Sequence, residues 1–254
     1  MGGISKAEEN FEEAKDWYLK GLEIAQRLAE ETDTIEFQRD LSVNYRDLGD
    51  VCNSEENFEE AREWYLKALE INETLAGDTN SFNILHDLLG SYHNLGVISK
   101  AENHFAEAKD WYLKGLEIAQ RLAEETGTIE SQHDLLVSYR DLGEVCNSEE
   151  NFAEAKDWYL KALETAQRLA EETGTIEQMD DLALSYYDLG TMHSISKKER
   201  AVYLSEFKRI YEELYEKTHD ERYARLIEDT RRITPFSDFL QSMIARLQNI
   251  GKKS

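Results

Sequence analysis

The sequence predicts an all-α fold, a right-handed α-solenoid of antiparallel helix pairs with C-terminal capping helices. Three observations predict it. The segment Asn57-Phe58-Glu59-Glu60-Ala61-Arg62-Glu63-Trp64-Tyr65-Leu66-Lys67-Ala68-Leu69-Glu70 recurs four times; Phe11, Phe58, Phe105 and Phe152 open the copies and Trp17, Trp64, Trp111 and Trp158 mark their centres, always 47 residues apart. A fixed period of about 20–50 residues means a stack of small units and not one globular core. Second, the 254 residues hold one proline and 13 glycines, so the residues that break helices are scarce. Third, apolar residues return at every third and fourth position, as in Phe11, Ala14, Trp17, Tyr18, Gly21 and Leu22.

Each element follows from those signals. A long helix is expected from about 5 to 31, then a break at Thr32-Asp33-Thr34, where Asp33 with Glu36 suits a capping box. A shorter helix over about 35–52 carries Leu41, Tyr45, Leu48 and Cys52 on one face. Asn53-Ser54-Glu55-Glu56 turns the chain, with Asn53 as cap of the next helix and Glu56 reaching back. The pattern continues through a second unit, a third from Ala101 to about Asn147 and a fourth from Ser148 to about Ser194. Gly127 and Gly174 stop helices and the threonines after them cap the next. Residues 144–151 repeat 50–57 with one change, so the array reads as a duplicated pair of units. Beyond Ser196 the signature fades into a stripe from Tyr203 to Tyr215, a helix over about 220–232, and a last helix from Pro235 to about Ile250 capped by Thr234. The domain division is therefore 1–195 for the repeats and 196–254 for a degenerate repeat and helical cap.

The net charge is −24. Residues 196–254 hold 13 Lys/Arg against 10 Asp/Glu, which leaves −27 on the repeats. Such a surface repels nucleic acid and anionic membranes, and the partner it would draw is basic. No run reaches the roughly 18 apolar residues of a membrane span, the start lacks a signal-peptide core, and Lys6 breaks the myristoylation pattern. Cys52 and Cys146 lie two units apart, too far for a disulfide, and read as buried residues of a reducing compartment. The expected location is cytoplasmic.

Tyr45, Leu48, Gly49, Phe58, Ala61, Tyr65, Ala68 and Leu69 fall in an order that resembles the tetratricopeptide repeat, a helix pair of about 34 residues. The order recurs with Tyr92, Leu95, Gly96, Phe105, Ala108, Tyr112 and Gly115, and again with Tyr139, Leu142, Gly143, Phe152, Ala155, Tyr159 and Ala162. Tyr186, Leu189 and Gly190 begin a further, degenerate unit. The period of 47 and Glu73 in place of the family's closing proline match its long-repeat variety, similar to kinesin-light-chain-type repeats. Gly2 occupies the repeat glycine's place without a helix before it, so the first unit lacks its first helix and the chain reads as a piece of a longer protein.

The resemblance implies a groove lined by the first helix of each unit that holds a protein or peptide. Carried over, the groove residues are Arg46, Asp50 and Asn53; His93, Val97 and Lys100; Arg140, Glu144 and Asn147; and Tyr187 and Thr191. The family's clamp for chaperone tails is incomplete here, since only Asn94 matches while Arg46, Asp50 and Gly90 depart from it. A peptide-gated sensor is the alternative function, and the unpartnered Trp17–Tyr18 helix is a candidate surface for self-assembly. No enzyme, cofactor or metal is expected: there is no phosphate loop, no His-Glu-x-x-His and no paired cysteine motif, and His86 and His93 lie two turns apart.

Overall fold

The computed structural model describes residues 11–32, 34–79 and 81–233, with side chains described for 15–228 within those bounds. Gly2, Asp33 and the expected last helix over 235–250 lie outside the described residues. Ten helices and no strand occur among the described residues: α1 (Phe11–Thr32), α2 (Ile35–Ser54), α3 (Phe58–Asp78), α4 (Phe82–Ala101), α5 (Phe105–Thr126), α6 (Ile129–Ser148), α7 (Phe152–Thr173), α8 (Ile176–Thr191), α9 (Lys197–Thr218) and α10 (Glu221–Ile233). None is long and apolar enough to cross a membrane. Helices of 20–22 residues absorb the extra length of the 47-residue period. The chain divides into two compact units, 1–158 and 159–254.

In the first unit each helix packs on its neighbours in sequence, and α2 also touches α4. The contact within a pair is made by one tyrosine and one glycine. A Cβ on Gly49 would lie 2.4 Å from Tyr65 Cε1, and a Cβ on Gly96 equally close to Tyr112 Cε1. The ring lies flat on the bare backbone, which is why the sequence alternates small and large at these sites. Cys52, Ala61, Leu69, Leu88, Leu95 and Ile98 close the core around Tyr65. The tryptophans do not meet: Tyr45 stacks on Trp64 at 5.8 Å, Tyr92 on Trp111 at 6.0 Å and Tyr139 on Trp158 at 5.9 Å. The same tyrosine–tryptophan stack thus recurs at intervals of 47 residues. Lys15–Glu60, Arg62–Glu107 and Lys109–Glu154, each at 2.7 Å, link successive second helices. These partly exposed pairs are worth at most about 1 kcal/mol each and serve register more than stability. Cys52 and Cys146 are free and buried, and burial pushes both thiols up to about 11, which leaves them inert.

The turns correct two expectations. Asn53 does not cap α3, because α2 continues through it to Ser54. Glu56 then takes a left-handed conformation (φ 58°), Glu56 N donates to Asn53 O and Asn57 N to Cys52 O. This double bond pattern ends the helix and hands the cap to Asn57, whose side chain accepts from Glu60 N. Asn103 and Glu150 repeat the left-handed step 47 and 94 residues on. At the start of α2 the cap is Thr34, which accepts from Phe37 N. Thr128 caps α6 in the same way, and the left-handed Gly127 (φ 59°) ends α5 just before it, as its type suggests.

The second unit comprises the end of α7 with α8, α9 and α10. Gly174 (φ 62°) ends α7 and Thr175 caps α8 by accepting from Gln178 N. The small-on-large contact survives with a different partner: a Cβ on Gly190 would lie 2.6 Å from Leu204 Cδ2. Ser196 and Glu199 form a capping box for α9. Phe207, Ile210, Tyr211, Leu214, Tyr223 and Ile227 form the core, with the Phe207 and Tyr211 rings 4.4 Å apart.

Candidate functional site

The first helices α2, α4 and α6 carry the unit's variable polar residues. On α4, His86, Leu89, Gly90 and His93 share one face by their spacing, and Asp134, Val137, Ser138 and Asp141 do so on α6. Both pairs of titratable residues are seven apart, so the two faces meet in register. His93 Nδ1 lies 2.7 Å from Asp141 Oδ2. His86 Nε2 lies 3.5 Å from Asp134 Oδ2 and 4.0 Å from Glu130 Oε1. Arg39 and Asp87 form the equivalent ion pair between α2 and α4, with the same separation of 48 residues.

His86, His93, Asp134 and Asp141 border a cavity of about 190 Å³ between α4, α5 and α6, completed by Tyr112 and Gly115 of α5 and by His133. Small residues at Gly90 and Gly115 leave room for it, and a third difference, at Val97, changes the surroundings of Tyr112. Gly90 stands where the neighbouring copies have Val43 and Val137, and nothing lies within 4 Å of a Cβ built on it. Gly115 replaces the equivalent of Ala68. Val97 replaces the equivalent of Asp50, which in the preceding copy accepts a hydrogen bond of 2.7 Å from the Tyr65 hydroxyl. The Tyr112 hydroxyl is consequently buried without a partner, on a residue only 2% exposed. Burial, then the charges of Asp141 and Glu144, push its ionisation above the ordinary tyrosine range, so it remains a donor.

The sequence-derived groove residues fall as follows. His93 lines the cavity. Lys100 Nζ meets Glu144 Oε2 at 2.7 Å, linking α4 to α6. Asp50 is held by Tyr65, and Arg46 reaches its neighbour Asp47 at 3.3 Å. Asn53, Val97 and Arg140 are half-buried; Asn147 is too, with its buried Oδ1 unpartnered. In the second unit the Tyr187 ring lies 5.3 Å from Phe207, and Thr191 Oγ1 donates to Tyr187 O. Sequence reasoning passed over Tyr112, Asp134 and Asp141. The signal for them was present: His86 and His93 each have an aspartate 48 residues later. Among the described residues, no group of three or more His, Cys, Asp or Glu is placed to hold a metal ion.

The His–Asp rungs make the first-helix face sensitive to pH. Contact with Asp134 outweighs burial and raises His86; burial pulls His93 down, but Asp141 more than compensates. Both folded values lie above the unfolded value of about 6.5. The stabilisation is therefore fully present below that value and fades as pH rises through the folded value. Asp141→Asn is expected to cost about 0.5–1 kcal/mol more at pH ~6 than at pH ~8.5, measured as the difference in urea unfolding midpoints. An equal penalty at both values would remove the rung.

The fold and this site define an all-α solenoid of two-helix repeats. The sequence profile of the tetratricopeptide repeat matches residues 40–121, about a third of the chain, so that stretch carries tetratricopeptide repeats. No curated protein matches it in sequence. Among solved structures it is similar to BtubC (BKLC) from P. vanneervenii, at 19% identity and a TM-score of 0.62, covering 88% of this chain and 91% of that one. It is also similar to the apo form of RapI, at 15% identity and a TM-score of 0.61, covering 91% of this chain and 60% of that one. A third is PH0952 from Pyrococcus horikoshii, a signal-transduction ATPase with a tetratricopeptide repeat sensor, at 15% identity and a TM-score of 0.56, covering 98% of this chain and 37% of that one.

Proposed function

We propose that the chain is a non-catalytic scaffold that binds a protein or peptide along the first-helix face of α2, α4 and α6, in the cytoplasm. One observation carries the reading. The positions that hold helix to helix repeat nearly unchanged every 47 residues, while the first-helix face changes residue and charge from copy to copy. A rigid frame with a variable face is how a repeat protein encodes recognition. Tyr187 and Thr191 are the corresponding candidates on α8, and the repeat pattern is proposed to end near residue 195.

The net charge of −24 favours a basic partner. The test is a positional-scanning peptide library against the full chain, read by fluorescence anisotropy. Lys- and Arg-rich pools are expected to bind best, and to weaken as the screening length falls from about 10 Å to about 3 Å with added salt. Arg46→Glu and Lys100→Glu are expected to alter pool preference, whereas Leu66→Lys on the exposed side of α3 is expected to leave it unchanged. Binding indifferent to both first-helix substitutions would place recognition elsewhere.

A further inference from the structure

We infer that the cavity between α4, α5 and α6 is a receptor for one lysine side chain of the bound peptide. This deepens the scaffold reading and rests on it for the peptide. Three features of the cavity select the occupant. Its walls are apolar along their length, formed by Leu89, Val137 and the Tyr112 ring beside the bare Gly90 backbone. That is a slot for a slim aliphatic stem, which a lysine supplies. At its polar side stand the Asp134 and Asp141 carboxylates, with Glu130 4.0 Å from the imidazole of His86. Their partners are imidazoles, not permanent cations, so once pH has risen above their raised folded values each His–Asp pair carries a net negative charge that another cation can meet.

The third feature is independent of charge. The Tyr112 hydroxyl is buried, unpartnered and part of the residue lining the cavity. A buried polar group left unpaired costs about 1–3 kcal/mol, and the preceding copy avoids that cost through Asp50 and Tyr65. Here Val97 removes the internal acceptor and Gly90 opens the space. A carboxylate ligand would meet Asp134 and Asp141, and a purely apolar one would leave them without a cation. An ammonium on an aliphatic stem pairs with the carboxylates while its methylenes follow the apolar wall that the Tyr112 residue helps to form.

The experiment uses the full chain at pH ~9, well above the ordinary imidazole value of about 6.5, because His86 and His93 are both raised. The probe is n-butylammonium, with n-butanol and n-butyrate as controls at matched ionic strength, and the readout is the imidazole resonances of His86 and His93. Butylammonium is expected to shift both saturably, with a dissociation constant at least tenfold lower than that of either control. Gly90→Val restores the residue of neighbouring copies, so should fold, and refills the slot. It is expected to lower butylammonium affinity at least tenfold. Equal binding of n-butanol or n-butyrate, or unchanged affinity in Gly90→Val, overturns the inference.

Peptide pools with lysine or norleucine at one fixed position separate this inference from the scaffold reading. Pools that bind the first-helix face without preferring lysine, with no saturable butylammonium shift, sink the lysine slot alone. Saturable butylammonium binding with no peptide pool bound sinks the scaffold reading and leaves an ammonium site.

Discussion

Tyr65→Ala is expected to destabilise the first unit by about 3–5 kcal/mol, the cost of deleting a large buried ring. The tyrosine is 2% exposed, and its ring covers Gly49 so closely that even a methyl group there would overlap it. Its removal leaves a cavity that α2 and α3 cannot close, because Cys52, Ala61 and Leu69 already hold them at a fixed distance in the same core cluster. The hydroxyl contributes far less. Tyr65→Phe removes only the bond to Asp50, worth about 1 kcal/mol, since half-buried Asp50 regains water. Stability in a linear array is a sum of local terms, so the loss should be local as well. All four tryptophans lie at or before residue 158 and report on the first unit. Tryptophan fluorescence should therefore lose its transition at lower urea, while amide exchange in α9 stays as in the parent. A cost under about 1.5 kcal/mol would mean that the ring does not set the helix spacing.

The tyrosine–glycine contact was legible in the sequence because it is written four times. A position that keeps Gly, Ala or Tyr at a spacing of 47 residues is under a packing constraint, and Gly49, Ala61 and Tyr65, which also carry the resemblance to the tetratricopeptide repeat, are such positions. The helix ends were less legible. Asn53 has the chemistry of a cap, but the cap is Asn57, because the left-handed step at Glu56 comes first. Glutamate there gives no signal: that conformation is usually marked by glycine, and only hydrogen bonding across the turn holds it.

The cavity was harder still, since it is made of what is missing. Gly90, read alone, marks only a departure from the family's clamp for chaperone tails. Set against Val43 and Val137, it is a deletion of a side chain on the inner face. Val97 is equally plain until compared with Asp50 and with the phenol that Asp50 serves. The groove residues were carried over from the family resemblance, and that layout does not reveal which are already occupied. Asp50 is bound by Tyr65, and Lys100 by Glu144.

Two glycines of α4, six residues apart, should respond to alanine with opposite signs. In an exposed helix interior, glycine to alanine gains about 1 kcal/mol through backbone entropy. At Gly90 nothing opposes that gain, because the added methyl points into open space. Gly90→Ala is thus expected to stabilise by about 0.5–1 kcal/mol. At Gly96 the same methyl would lie 2.4 Å from Tyr112 Cε1 and 2.6 Å from Cδ1. Those atoms belong to a ring that is only 2% exposed, so either α4 and α5 separate or the ring is displaced toward the cavity it lines. Such overpacking costs about 1–3 kcal/mol, which exceeds the entropic gain, and Gly96→Ala is expected to be destabilising. Chemical denaturation of the two variants against the parent decides the matter. If both alanines stabilise, the ring has room to move and the close approach of the two helices is not a requirement of the fold. If both destabilise, the space beside Gly90 is not open, and the lysine slot loses its entrance.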